Sequence, residues 1–308
     1  MKLGVTAWNL SDMSAVSLTE QAKFAESLGY NSFWLPENHF SKVAIPDPLM
    51  MLASVAAGTS KIKLATTSYL LPLRHPLLAA EQVAVLDQLS QGRVILGIGR
   101  GYMPSMLKAF DIKPNTKRKI FEEALQTMRS AWRGQPLLLR DGETKVTLDP
   151  LPVQCPHPPI WVAAFGPKAL AQAGRLGLPY LPSPLETISK LQDNFRIYSE
   201  SIESKGKLAD QVKPLMRIVH ITESPSELKA IREELNNFRI RRQGSGLDSQ
   251  NDESWAIIGS SSEVKEKISE YVEIFSTDYL VVSRLRVPGL PDSSVRKSLE
   301  QIVLAMAD

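Results

Sequence analysis

Four stretches carry residue types that could do chemistry. WLPENHF, residues 34–40, sets Glu37, Asn38 and His39 between apolar neighbours, and a histidine so placed can act as acid, base or hydrogen-bond donor. The alternative reading is that the three side chains simply solvate a loop, against which the flanking Trp34, Leu35 and Phe40 would hold them near a barrel mouth. LATTSYLLPLRHP interrupts an aliphatic pattern with Thr66, Thr67 and Ser68; hydroxyl groups at a strand end can face a ligand, and threonine is also an ordinary strand residue. GIGRGY places Gly99 and Gly101 around Arg100, ahead of Tyr102. Bare backbone amides could there approach an anion that the guanidinium meets bidentately, and a tight turn with a surface arginine reads the same residues as well. VAAFGPKAL opens a helix at Gly166 and Pro167 with Lys168 beside it, an N-terminus that favours an anion but is also a common way to begin a helix.

Each stretch follows a run that reads as a strand. β-Branched and aromatic runs alternate with helical patterns: LGVTAW, then SLTEQAKFAESLGY, SFWLPE, PDPLMMLASVAAGTS and KIKLATTSY. Ser17 with Glu20 reads as a capping box for the first helix and Gly29 as its stop. The rhythm continues through RVILGIG and an amphipathic helix to LLLRDGETKVTLD, a hairpin turning at Asp141-Gly142. Strands at IWVAAF, PYLPS, VKPLMRIVHIT and TDYLVVSRLRV bring the count to eight. Eight strands alternating with helices predict an α/β (β/α)8 TIM barrel, residues 1–308 as a single domain. It carries a hairpin insertion after the fourth strand and a mobile polar loop, 241–254, before the eighth. In such a barrel the active site lies at the carboxyl ends of the strands, where the four stretches fall. A doubly wound dinucleotide fold fits less well, because GIGRGY follows the fourth strand and lacks the last glycine.

Composition excludes several classes. With 43% hydrophobic and 22% charged residues the chain reads as a globular protein. Its 36 basic and 33 acidic residues are interspersed, so nucleic acid is not an expected partner. MKLGVTAWNL is too short an apolar start for a secretory signal, and no run reaches the ~20 residues of a membrane span, which predicts a cytoplasmic protein. One cysteine, Cys155, and four histidines without one-turn spacing argue against a disulfide and against metal catalysis. Trp8 could line a pocket or pack in the core, Arg74 and His75 read as structural at a helix start, and Arg284 and Arg286 read as a salt-bridged strand end.

SYLLPLRHPLLAAEQVAVLDQLSQGRVILGIGRGY, with WLPENHF before it and PPIWVAAFGPKALAQAGRLGLP after it, resembles the bacterial luciferase-like flavin-dependent oxidoreductase family, most specifically in LDQLSQGR and GIGRG. The resemblance covers most of the chain and implies a barrel that binds reduced FMN, or in another branch a deazaflavin. It makes Gly99, Arg100, Gly101 and Tyr102 the flavin phosphate seat, completed by Ala164, Phe165 and Gly166. Relatives often carry hydroxyls in that last turn; here amides and Lys168 would serve. Thr67-Ser68 matches a site where relatives place a non-prolyl cis peptide under the flavin ring. His39 and Asn38 match the polar pair after the second strand, with Asn38 at the position of the catalytic histidine of bacterial luciferase, so luminescence is not expected.

These readings predict a two-component monooxygenase that takes reduced FMN from a separate flavin reductase and acts with oxygen on a small organic substrate, using His39 with Asn38 to move a proton. A deazaflavin-dependent dehydrogenase and a non-catalytic flavin-binding partner subunit are the alternatives. Family members often pair as dimers, which predicts a homodimer.

Overall fold

A computed structural model describes residues 1–139, 141–202, 212–241, 255–284 and 290–307. The chain begins with β1 (Lys2–Thr6), α1 (Ala15–Ser27), β2 (Ser32–Leu35), α2 (Pro48–Gly58), β3 (Lys63–Thr66) and β4 (Tyr69–Leu70). It continues through α3 (Pro76–Leu89), β5 (Val94–Gly99), α4 (Pro104–Ala109), α5 (Lys117–Ala131), β6 (Leu137–Leu138), β7 (Lys145–Val146) and β8 (Ile160–Ala163). Then come α6 (Pro167–Arg175), β9 (Tyr180–Leu181), α7 (Ile188–Glu200), β10 (Pro214–Ile221), α8 (Pro225–Arg241), β11 (Ala256–Gly259), α9 (Ser261–Phe275), β12 (Tyr279–Ser283) and α10 (Asp292–Ala307). This is an α/β fold in two compact units: Met1–Met13, Glu20–Phe33 and Ala164–Asp308 form the first, Ser14–Thr19 and Trp34–Ala163 the second.

In the first unit β11, β10, β12 and β1 lie side by side and parallel, with Ile218 opposite Ala256, Pro214 opposite Tyr279, and Tyr279 opposite Lys2. In the second unit β3, β5 and β8 are parallel, Leu64 opposite Val94 and Leu96 opposite Ile160, and β4 runs beside the far half of β5. β5 and β10 are buried along their whole length, the usual state of strands covered on both faces. Trp34 and Trp161 fill the second unit with ring centroids 5.1 Å apart.

Local chemistry sets the element ends. Asp47 accepts the Met50 amide at 3.1 Å and Thr187 the Lys190 amide at 3.2 Å, while Ser260 and Glu263 form a reciprocal capping box. The helix α1 starts earlier than the Ser17–Glu20 spacing predicts: Ser14 Oγ accepts the Ser17 amide at 3.2 Å, and Ser17 lies inside the helix. β6 and β7 form the expected hairpin, Asp141 accepting the amides of Glu143 and Thr144 and Gly142 sitting at φ 77°. β11 is a parallel strand that the sequence reading passed over, since four residues, AIIG, are too few to show a period. Of the polar loop predicted for 241–254, Arg241 ends α8 and the rest lies outside the described residues, as does Arg286. Among the described residues no helix is long and apolar enough to cross a membrane.

The family-like motif LDQLSQGR is structural. Arg93, just before β5, donates to the carbonyls of Ala56, Thr59, Ile62 and Ser90 at 2.7–3.1 Å and to Thr59 Oγ1 at 2.9 Å, closing the carboxyl end of α2. Buried Asp87 accepts from the Gln154 amide at 2.9 Å and from Gln154 Nε2 at 2.8 Å, fastening the segment that leads into β8.

Candidate active site

In the second unit the chemistry-bearing residues collect at the carboxyl ends of β2, β3 and β5, the edge of a parallel sheet where ligands bind. Past β2, Glu37 turns inward and His39 follows it at the rim. Glu37 Oε1 accepts from His39 Nε2 and from Arg74 Nη1, each at 2.9 Å, and Oε2 accepts the Leu70 amide at 2.9 Å. Burial pushes the Glu37 carboxyl up, while Arg74, the Leu70 amide and His39 pull it back. Arg74, expected to be structural at a helix start, thus belongs to the His39 site; its guanidinium carbon lies 3.9 Å from the Tyr69 ring centroid. No spacing in the sequence links it to Glu37, 37 positions away.

Asn38 is occupied differently from His39. Its Oδ1 accepts the Ile45 amide at 3.0 Å while its own amide donates to Ile45 O at 3.0 Å, so Asn38 closes the loop that returns to α2. Phe40, at φ 59° and 73% exposed, projects beside the pair; its ring centroid is 5.8 Å from that of Phe110, whose edge contacts His39 at 5.0 Å.

The Thr67-Ser68 peptide is cis, as the resemblance implied. Thr67 donates its amide to Leu35 O at 2.8 Å and both residues are half-buried. Thr66 points elsewhere, donating to Gly97 O at 2.7 Å from a buried position. The glycines of GIGRGY serve packing. A methyl group on Gly97 would run into the Thr66 carbonyl oxygen and one on Gly99 into Ser68 Oγ; one on Gly101, at φ 71°, would lie 2.6 Å from Met106 Cε. A side chain at Gly99 or Gly101 would therefore meet Ser68 or Met106. Tyr102 is exposed.

Arg100 is no surface residue. It is buried, donates from Nη1 to Ala163 O at 3.1 Å, and lies 4.2 Å from the Phe121 centroid. Burial and neighbouring Arg118 bring its pKa down to about 10. Lys117, which donates to Gly101 O at 2.9 Å, is pushed down by burial, Arg100 and Arg118 in that order. Three cations therefore crowd the carboxyl end of β5, with Glu122 acting against them. The sequence reading missed Lys117 and Arg118; their place at the start of an amphipathic helix gave no signal beyond an ordinary solvated face.

The remaining candidates belong to the first unit. Ala164 is buried, Phe165 and Lys168 are exposed, and Gly166 precedes α6 with open space around it. Trp8 is half-buried and donates from Nε1 to Asp292 at 2.8 Å. Arg284 corrects the expectation of a salt-bridged strand end: it is buried and donates to Val219 O at 2.6 Å and to His220 Nδ1 at 2.8 Å. His220 Nε2 in turn meets Glu227 at 3.0 Å, and Glu227 also accepts from Thr222 at 2.8 Å and from Ser294. A cationic donor on Nδ1 together with burial keeps this imidazole neutral, with a pKa of about 4.

The family model for luciferase-like monooxygenases matches residues 3–278. The protein y4wF of Sinorhizobium fredii is 30% identical over 280 residues, covering 84% of this chain and 82% of that one. The oxygenase component of flavin-dependent trigonelline monooxygenase from Acinetobacter baylyi is 28% identical over 237 residues, 72% of this chain and 63% of that protein. Among solved structures, monooxygenase RslO1 from Streptomyces bottropensis superimposes with a TM-score of 0.85 at 24% identity, over 100% of this chain and 99% of its own. The oxygenating constituent of 3,6-diketocamphane monooxygenase from Pseudomonas putida, in complex with FMN, gives 0.76 at 21%, over 98% and 96%. An F420-dependent secondary alcohol dehydrogenase, in complex with an F420-acetone adduct, gives 0.78 at 16%, over 100% of both chains. These structural likenesses establish a shared fold. By the family match and the 30% relative, this chain belongs to the luciferase-like monooxygenase family.

Proposed function

We propose that the protein is a flavin-dependent oxidoreductase, a (β/α)8 barrel that works as the oxygenase component of a two-component monooxygenase on a small organic substrate. The observation that carries this reading is the crowding of Arg100, Lys117 and Arg118 at the carboxyl end of β5, beside strand ends that hold the Glu37–His39 pair. An oxyanion would add to the offset that Glu122 gives these cations, and a phosphate monoester fits that donor set. Arg100 would act through its charge and a fixed orientation, since Ala163 O holds one arm of its guanidinium. Thr67 and Ser68 would support the ring system. Reduced FMN, delivered by a separate reductase, supplies the electrons and the reaction with oxygen. His39 holds or moves the proton that the substrate exchanges, and the apolar surroundings keep water from the site.

The name of the Acinetobacter relative as an oxygenase component supports the two-component reading; the F420-dependent likeness supports a deazaflavin and hydride chemistry instead. Anaerobic titration with reduced FMN and, separately, with a reduced deazaflavin decides between them: tighter FMN binding followed by oxygen-dependent turnover supports the monooxygenase, and preference for the deazaflavin refutes it. The stripe Leu78, Val85 and Leu89 of α3, with Met50 of α2, is exposed; we assign it to the interface of a homodimer, to be checked by light scattering.

A further inference from the structure

His39 is the proposed proton-handling group, and its hydrogen bonds decide which of its nitrogens does that work. Glu37 has a fully buried side chain and three partners. Two of them, the Leu70 amide and the Arg74 guanidinium, can only donate, and the Arg74 cation 2.9 Å away favours the ionised, acceptor-only form of the carboxyl group. The third partner must then donate too, which puts the ring hydrogen on His39 Nε2, 2.9 Å from Oε1. In the neutral imidazole this leaves the lone pair on Nδ1. Arg74 balances the buried charge and is itself held, donating to Leu70 O at 3.0 Å and stacking 3.9 Å from the Tyr69 centroid. Phe110 fixes the ring from the side, its centroid 5.0 Å from that of His39. The charged and titratable groups around the pair are Glu37, Arg74 and Tyr69, whose hydroxyl donates to Gln82 Oε1 at 2.9 Å, with Asp47 acting on Tyr69 through space.

We propose that Glu37 and Arg74 are positioning residues that hold His39 as the Nε2–H tautomer, making Nδ1 the atom that accepts a proton from the bound ligand. The ligand's X–H bond breaks and an Nδ1–H bond forms; the resulting imidazolium is offset by Glu37, and Arg74 keeps Glu37 from taking the proton itself. This rests on the assignment of His39 as the proton-handling group.

The test is ¹⁵N nuclear magnetic resonance of ring-labelled histidine in the full-length protein at a pH where imidazole is neutral, with His39→Gln to assign the signals. The expected wild-type result is a protonated Nε2 that resists exchange and an unprotonated Nδ1; a hydrogen on Nδ1 overturns the proposal without any variant. Glu37→Gln is expected to let both tautomers populate and to lower kcat at least about tenfold with KM little changed, while Glu37→Asp restores part of kcat. A tautomer unaffected by Glu37→Gln in a folded variant overturns the proposal. Should the Gln variant not fold, Arg74→Lys, which keeps the charge without the fork, is expected to weaken protection of the Nε2 hydrogen, and unchanged protection counts against Arg74. Failure of the wild-type protein to bind any reduced flavin, with the tautomer as expected, sinks the functional reading and the role in the reaction, and leaves the dyad as structure only.

Discussion

Arg100 Nη1 donates to the carbonyl oxygen of Ala163 at 3.1 Å, so the residue that follows β5 holds the carboxyl end of β8. One arm of the guanidinium is thereby committed to the fold, and its position over Phe121 restricts the rest. A seat for an anion gains from such fixing, because less rotamer entropy is lost when the ligand arrives.

Arg118→Ala tests the seat with less structural disturbance than Arg100→Ala, since the latter also strands the Ala163 carbonyl. Loss of one charged contact at ~1.5 kcal/mol corresponds to about tenfold weaker binding of reduced FMN. Arg100→Ala is expected to weaken binding further and to lower stability. An anaerobic titration with unchanged affinity in both variants would place the phosphate elsewhere.

His39→Ala is expected to retain flavin binding and lose about 10²-fold or more in kcat, the usual contribution of a positioned acid or base. Asn38→Ala, by contrast, opens the Ile45 loop contact and is expected to act first on thermal stability. Full turnover in His39→Ala would end its assignment.

Gly97→Ala and Gly166→Ala separate packing from function. At Gly97 the new methyl meets main chain, the Thr66 carbonyl, which cannot rotate away; at Gly166 it meets open space at an extended φ of −158°. Urea unfolding is expected to show a loss of about 3 kcal/mol or more for Gly97→Ala and less than about 1 kcal/mol for Gly166→Ala.

Two buried groups give the stability opposite slopes with pH. His220 is neutral in the fold at a pKa of about 4. Its unfolded form therefore binds the extra proton, and stability falls as pH drops from 6.5 to 4, by on the order of 3 kcal/mol. Glu186, buried among Tyr180, Asn194 and the Ser183 amide, is raised to about 7, burial being the main cause. There the unfolded form loses its proton first, so stability falls as pH rises from 4.5 to 7. Denaturation between pH 4 and 7 should therefore show Glu186→Gln losing the second slope and His220→Gln the first; parallel curves for wild type and variants would contradict both.

Arg93→Ala is expected to cost about 3 kcal/mol in chemical denaturation while leaving flavin affinity intact, because it frees four carbonyls that precede β3 and β5, at the strand ends opposite the candidate site. A selective loss of flavin binding would mean that LDQLSQGR has a part in the site after all.

The sequence alone determined what neighbours along the chain decide. The alternation of strand and helix, the Asp141-Gly142 turn, the start of α6 at Gly166-Pro167 and the family motifs all rest on local periodicity, caps and turn chemistry. Glu37, Thr67 and Arg100 could be placed at strand ends for the same reason. Only the tertiary structure decided the partners. Arg74 on Glu37, Lys117 and Arg118 beside Arg100, Ser68 over Gly99, and Arg284 on His220 join residues 17 to 64 positions apart, and no spacing records a distance across packed elements. Burial made the same difference to meaning: Gly97 packs its bare Cα against the Thr66 carbonyl, and Arg100, legible either as an anion seat or as a turn, is buried with one arm on Ala163 O.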